Sequence, residues 1–151
     1  MKTANQWLSE YAESHQNETN INIHTICVPA IYFSIVGILM TVNIGSLLEL
    51  EFQNPIFTSL ATLIFVLVHF FYARLSIKIF TKMLLFTLLC LVGNYYLAMI
   101  LPLLKTNIII FIVAWIGQFY GHKVEGKKPS FFKDLQFLLI GPVWVFEKLF
   151  K

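Results

Sequence analysis

The sequence predicts an all-α integral membrane protein: a four-transmembrane-helix bundle with an N-terminal amphipathic helix and C-terminal interfacial helices. Three observations lead there. Hydrophobic residues make up 58% of the 151 residues, with a mean hydropathy of +0.73. The apolar residues gather in four stretches, roughly residues 23–48, 55–72, 83–104 and 107–121. All four histidines can be drawn to one edge of those stretches: His15 and His24 at the start of the first, His69 near the end of the second, His122 just after the fourth.

A spanning helix needs about 20 mostly apolar residues. The first three stretches satisfy this. The fourth is short, and reaches the interface with Trp115, Tyr120 and flanking lysines as anchors. A soluble chain of this size has too little polar surface to cover four nearly uncharged helices. The chain is therefore read as one membrane domain: an interfacial helix and turn over residues 1–20, four spans over 21–121, and a cytoplasmic or interfacial tail over 122–151.

Taken in order, the elements have local causes. Thr3 and Gln6 have the capping-box spacing, with Thr3 as N-cap. Between residues 4 and 15, Trp7, Leu8, Tyr11, Ala12 and His15 share one helical stripe while Glu10 and Glu13 face away. This predicts a short interfacial helix with its aromatic face on the bilayer or the bundle, and His15 at its end on the buried side. The polar turn of residues 16–20 leads to Asn22, His24 and the first span. Pro29, just beyond His24, should kink that helix or mark a late start. In the second stretch His69 precedes Arg74 by about one and a half turns. In the fourth, Gly117 and Gly121 have the small-xxx-small spacing of close helix packing. Gln118 and His122, also four apart, share a face. Beyond the polar residues 123–130, the apolar segment 131–150 is interrupted by Gly141-Pro142 and carries Asp134, Glu147 and Lys148 in or near it. A shallow interfacial helix pair is expected there, not a fifth span.

The net charge of +3 and pI of about 8.9 do not indicate nucleic acid, because the cations are placed for a membrane. They cluster as Arg74, Lys78 and Lys82, and as Lys123, Lys127, Lys128 and Lys133, whereas the connection after the first span carries Glu49 and Glu51. The positive-inside rule puts the second loop, the tail and, by counting spans, the N-terminus in the cytoplasm, with Lys105 the one opposing charge. The clusters face anionic headgroups. Short loops lean toward a bacterial inner membrane over an endoplasmic reticulum. Cys27 and Cys90 fall inside apolar stretches, so no disulfide framework is expected. The first twenty residues have no apolar core of a cleavable signal peptide. The Asn17-Glu18-Thr19 sequon, on the cytoplasmic side, is a chance match.

One histidine near an interface is ordinarily a polar anchor, and His69 alone carries no more than that. Four at one depth are different, because ionisable groups in a membrane are costly and mark function. Asn20 and His24 are four apart, and His122 and Glu125 three apart, so each pair can offer two ligands or a ligand and its support. Several imidazoles with a carboxylate and open positions suit Fe(II), which can then take O2 and an oxygen-bearing substrate; zinc competes on ligand type. There is no His-Glu-x-x-His of a zinc protease, no repeated HxxxH or HxxHH box of the di-iron desaturases, and no Gly-x-Ser-x-Gly elbow.

The run from Tyr11 through His15, Asn17 and Asn20 to His24, Val28 and Pro29 resembles the N-terminal signature of the 2-hydroxy fatty acid dioxygenases. The run from Trp115 through Gln118, Gly121, His122, Glu125 and Gly126 to Pro129 is similar to their second signature, with Asp134, Gln136, Gly141 and Pro142 following in the same style. The resemblance covers nearly the whole chain; the middle spans match only in being apolar. It implies an Fe2+-dependent enzyme that shortens a long-chain 2-hydroxy fatty acid by one carbon with O2. It carries iron binding to His15, His24 and His122. His69 joins them only through its depth. Glu125 is taken as the catalytic carboxylate, and Asn20 and Gln118 as substrate-binding. Some family members have one more residue between this histidine and glutamate, so the His122-x-x-Glu125 spacing is a departure. The substrate's tail would lie in the bilayer and its carboxylate at headgroup level. Partners are thus the 2-hydroxy fatty acid, O2 and membrane lipid, with no nucleic acid. The alternative is a non-catalytic four-span lipid-binding or scaffold protein, which would hold no stoichiometric metal.

Overall fold

The computed structural model describes residues 2–47, 49, 54–129 and 136–149, and among these the regular structure is helical. The helices are α1 (Ala4–Ala12), α2 (Glu18–Met40), α3 (Pro55–Thr58), α4 (Leu60–Leu75), α5 (Ile77–Ile100), α6 (Leu103–Glu125) and α7 (Phe137–Leu149). Three of them, α2, α5 and α6, are long and apolar enough to cross a bilayer, and α4 is a shorter apolar helix. Their exposed surface is aliphatic and aromatic, with Leu85 and Leu89 on α5 and Ile112, Ile116 and Phe119 on α6. Such side chains belong in lipid. The chain is a multi-pass integral membrane protein.

Two expected lengths are exchanged. The second stretch is interrupted and the fourth is full length. Asn54 accepts the Ile56 N–H at 2.9 Å and Pro55 opens α3, but Ser59 is extended (φ −90°, ψ 156°) and stops it after four residues. Ile44 and Leu60 N–H groups then bond to Thr58 and Val42 carbonyls, pinning Ser59 opposite Asn43. The 16 residues left for α4 rise about 24 Å at about 1.5 Å each, short of an unthinned core of about 30 Å. The break before the fourth stretch lies at Leu101-Pro102, not at Asn107. Leu101 is extended (φ −138°, ψ 153°), as the residue before a proline prefers, and α6 starts directly after Pro102.

The cations expected in a second loop sit on helices instead. Ser76 alone (φ −173°, ψ 144°) separates α4 from α5, and its hydroxyl caps α5 by accepting the Lys78 N–H at 3.2 Å. Arg74 is in the last turn of α4, while Lys78 and Lys82 open α5.

The described residues fall into two compact units, those within 1–32 and 112–151 and those within 33–111. In the second unit α4 packs along α5. There Asn107 donates to Asn94 Oδ1 at 2.8 Å, and Asn94 donates to the Phe33 and Cys90 carbonyls at 3.0 Å each. Both amides are fully buried, and a Cβ at Gly37 would fall on them.

In the first unit the capping box holds: Gln6 N–H donates to Thr3 Oγ1 and Thr3 N–H to Gln6 Oε1. However, α1 ends at Ala12, so His15 lies in the following turn. The aromatic stripe packs on α7, with Trp7 edge-on to Phe137 at 5.1 Å and Tyr11 5.5 Å from Trp144. The helix α7 runs through Gly141-Pro142 where a break was expected. Gly141 serves close packing, since a Cβ there would meet Tyr11 Oη at 3.0 Å. Pro142 costs one hydrogen bond, which the burial of seven of the thirteen residues of α7 offsets. The first part of the expected helix pair, with Asp134 and Lys133, lies outside the described residues. Likewise Pro29 sits inside α2, which begins at Glu18, so there is no late start. The glycine spacing on α6 is used as predicted: a Cβ at Gly117 would lie 2.7 Å from Cys27 Sγ, and one at Gly121 would fall on Asn20 Oδ1.

Candidate metal centre

Three segments of the first unit converge on one buried point. The turn after α1 brings His15, the second turn of α2 brings His24, and the end of α6 brings His122; they are 3%, 0% and 5% exposed. One ligand nitrogen from each lies within 4.8 Å of the others. Ring centroids are 4.3 Å apart for His15–His24, 4.8 Å for His24–His122 and 5.1 Å for His15–His122.

In two of the three rings one nitrogen is committed as a donor, which leaves the other to ligate. His15 Nδ1 is 2.6 Å from the Tyr11 carbonyl, and His24 Nδ1 is 2.9 Å from the Asn20 carbonyl. A carbonyl only accepts, so both Nδ1 atoms carry the proton and each neutral ring keeps its lone pair on Nε2. Donation of the second N–H to a backbone carbonyl is how metal-bound imidazoles are oriented. Burial lowers the His15 pKa to about 4, so the ring is neutral at pH 7.

The donor set fits a cation. His15 Nε2 is buried without a hydrogen-bond partner among the described residues, a costly state for a ring nitrogen unless something fills it. His24 Nε2 and His122 Nε2 are 3.2 Å apart. Two nitrogens each about 2.1 Å from one ion are about 3.0 Å apart at a right angle and about 3.4 Å at the tetrahedral angle. The observed spacing falls between these.

Aromatic rings close the back of the site. Tyr11 stacks on His15 at 4.1 Å with 9° between planes, and Trp144 stands 5.2 Å away. Burial also raises the Tyr11 pKa, keeping its hydroxyl protonated. Nothing in the local sequence linked Trp144, more than twenty residues past the last histidine, to this ring.

The remaining candidates are placed as follows. Gln118, one turn before His122, is 6% exposed, and its Nε2 has no partner among the described residues. Asn20 is fully buried; its Nδ2 donates to the Ser14 carbonyl at 3.1 Å and to Glu125 Oε2 at 3.0 Å. Glu125 also accepts the Gln16 N–H at 2.9 Å and the Asn17 N–H at 2.8 Å. His69 belongs to the second unit, where its Nδ1 donates to the Phe65 carbonyl at 2.8 Å and its ring meets Tyr72 and Phe80 edge-on. It lines an apolar groove of about 510 Å³ along α4 and α5. The metal-competent cluster among the described residues consists of the other three histidines.

The end of α6 is shaped to hold this geometry. Gly126 takes a left-handed conformation (φ 72°), with Gly126 N–H bonded to the Lys123 carbonyl and Lys127 N–H to the His122 carbonyl. This is the Schellman pattern, and it stops the helix directly after Glu125. Lys127 Nζ then donates to the Glu13 carbonyl at 2.6 Å.

Residues 1–151 match the family described as 2-hydroxy-palmitic acid dioxygenase Mpo1-like. The chain is 34% identical over 148 residues to the 2-hydroxy-palmitic acid dioxygenase MPO1 of Saccharomyces cerevisiae, covering 95% of this chain and 78% of that protein. No solved structure matches it. With a full-length family match, that relative and a buried three-histidine cluster inside a membrane protein, the chain belongs to the Mpo1-like 2-hydroxy-palmitic acid dioxygenase family.

Proposed function

We propose that the protein is an Fe2+-dependent dioxygenase that converts a long-chain 2-hydroxy fatty acid into the acid one carbon shorter. The observation that carries this reading is the buried triad of His15, His24 and His122, with one ligand nitrogen each within 4.8 Å. The atoms balance with O2 as sole oxidant: the C1–C2 bond breaks, C2 becomes the new carboxyl, C1 leaves as carbon dioxide and one water forms. Ferrous iron would supply O2 activation and a chelation point for the 2-hydroxyl and carboxylate.

The chain's own groups do the rest. The Tyr11 and Asn20 carbonyls fix the imidazole tautomers, and Tyr11 and Trp144 keep water from the His15 side. In this reading Gln118 is the substrate contact, because its amide is buried, free to donate and one turn from His122. Asn20 is a support, its two N–H groups being already used. His69 stands outside the ligand set. Lys127 is engaged with Glu13, so headgroup attraction falls to Lys123 and Lys128.

The reading includes four crossings with both termini cytoplasmic. The cations at the α4–α5 junction support it, and so does the length of α2, α5 and α6. Three imidazoles also suit zinc, so the test must separate the metals. Purified protein loaded with Fe2+ should shorten 2-hydroxypalmitate, and the zinc-loaded form should not. Iron-independent conversion, or full activity of His122→Ala, would overturn the proposal.

A further inference from the structure

We infer that Glu125 is a positioning residue: its carboxylate sets the spacing of the three histidines and touches neither metal nor substrate. The inference rests on the metal-site reading above and replaces a catalytic role for this carboxylate.

One side chain reaches every segment that carries a ligand. Glu125 lies one turn beyond His122 on α6. Its Oε1 accepts from Gln16 N–H and its Oε2 from Asn17 N–H, across 109 and 108 residues of sequence. These two amides follow His15 directly. On the other side of His15, the Ser14 carbonyl accepts from Asn20 Nδ2, which also donates to Glu125 Oε2. The His15 backbone is therefore held before and after by one connected set of bonds. Asn20 extends the set to the third ligand, because its backbone carbonyl accepts a hydrogen bond from His24 Nδ1–H.

The chemistry of these bonds favours a clamp over a reacting group. Three of the roughly four acceptor positions of a carboxylate are filled by N–H donors. Bonds from neutral N–H to an ionised carboxylate are about twice as strong as neutral pairs. The Gln16 and Asn17 amides lead into α2, where helix-initiating N–H groups lack internal partners and favour negative charge. A group held this way is poorly placed to leave its donors and accept a proton from a substrate. Residue 125 is also the last of α6, fixed by the turn at Gly126, so the carboxylate is delivered from a defined backbone point.

The test uses the full-length protein in lipid nanodiscs, with Glu125→Gln, Asn20→Ala and the double variant. Glutamine keeps the shape but turns an amide NH2 toward N–H donors. In the metal-free protein, amide exchange at Gln16 and Asn17 should accelerate at least about 10-fold in Glu125→Gln. Co2+ affinity should fall about 10–100-fold, the usual effect of losing a support behind metal ligands. At saturating Fe2+, kcat should fall far less than the affinity does. Asn20→Ala should weaken Co2+ binding similarly, and the double variant should lose less than the product of the two factors. Unchanged exchange, or wild-type Co2+ affinity with kcat about 100-fold lower at saturating iron, would overturn the inference in favour of general acid–base catalysis. If Glu125→Gln does not fold, Asn20→Ala decides alone: wild-type Co2+ affinity there overturns the clamp. Exchange and Co2+ binding do not depend on turnover, so failure of the dioxygenase reading is seen separately, as absence of product from the wild type.

Discussion

His24 Nε2 and His122 Nε2 face each other across 3.2 Å, 98 residues apart in sequence. Without an ion, one of them must carry a proton to make this approach favourable. With an ion, both lone pairs are used. The proposed ion would replace that hydrogen bond with two metal–nitrogen bonds, and its loading should stabilise the fold. At a free metal concentration 100 times Kd the gain is about 2.7 kcal/mol. Thermal unfolding in detergent should show a higher Tm with Fe2+ or Co2+ than with chelator. His122→Ala should abolish the difference while leaving helical content near wild type.

Tyr11 works through its ring. It stacks flat on His15 and packs against α7, so Tyr11→Phe should keep metal affinity within about 3-fold, a loss of less than 1 kcal/mol. Tyr11→Ala removes a large buried ring, costs about 3–5 kcal/mol of stability, and should weaken Co2+ binding by about 10-fold or more. Equal affinity in the two variants, by titration, would disprove the packing role.

Gly121 is where α6 meets Asn20. A methyl group there falls on Asn20 Oδ1 and must displace the side-chain amide that donates to Glu125 and to the Ser14 carbonyl on the His15 side. Gly121→Ala should cost about 1–3 kcal/mol by overpacking. It should also lower metal affinity, whereas Gly126→Ala should mainly fray the end of α6, at about 1 kcal/mol. Comparing Tm with Co2+ titration in both variants checks the distinction.

The buried Asn94–Asn107 pair should behave as a unit. Asn107→Leu strands the Asn94 Oδ1 acceptor and should cost about 1–3 kcal/mol. Asn94→Leu should cost a similar amount, because it leaves one of the two Asn107 Nδ2 hydrogens unpaired, the other staying on the Leu103 carbonyl, and removes the donor to the Phe33 carbonyl. The double variant should cost clearly less than the sum, which a double-mutant cycle of unfolding in mixed micelles measures directly.

Much of the fold was legible in short patterns. Thr3 and Gln6 predicted the cap of α1, Gly117 and Gly121 predicted a close helix approach, and the apolar runs predicted the long spans α2, α5 and α6. The limits were misplaced where two signals competed. Asn107 is polar and by type marks a boundary, yet it is satisfied inside α6 by Asn94 and by the Leu103 carbonyl. Gly141-Pro142 is by type a helix break, yet Gly141 is the contact for Tyr11. In both cases tertiary partners compensated for a residue that local preference disfavours.

The site divides along the same line. The order of residues alone puts His15, His24 and His122 near the ends of apolar runs, since helix rise converts residue number into depth. Depth does not specify rotation about the helix axis or neighbouring segments, so it could not distinguish His69 from the other three. The folded structure alone reveals that Trp144 shields His15 and that Glu125 reaches the backbone of residues 16 and 17. Those contacts join positions about a hundred residues apart, and local periodicity, which acts over a turn or two, carries no information about them.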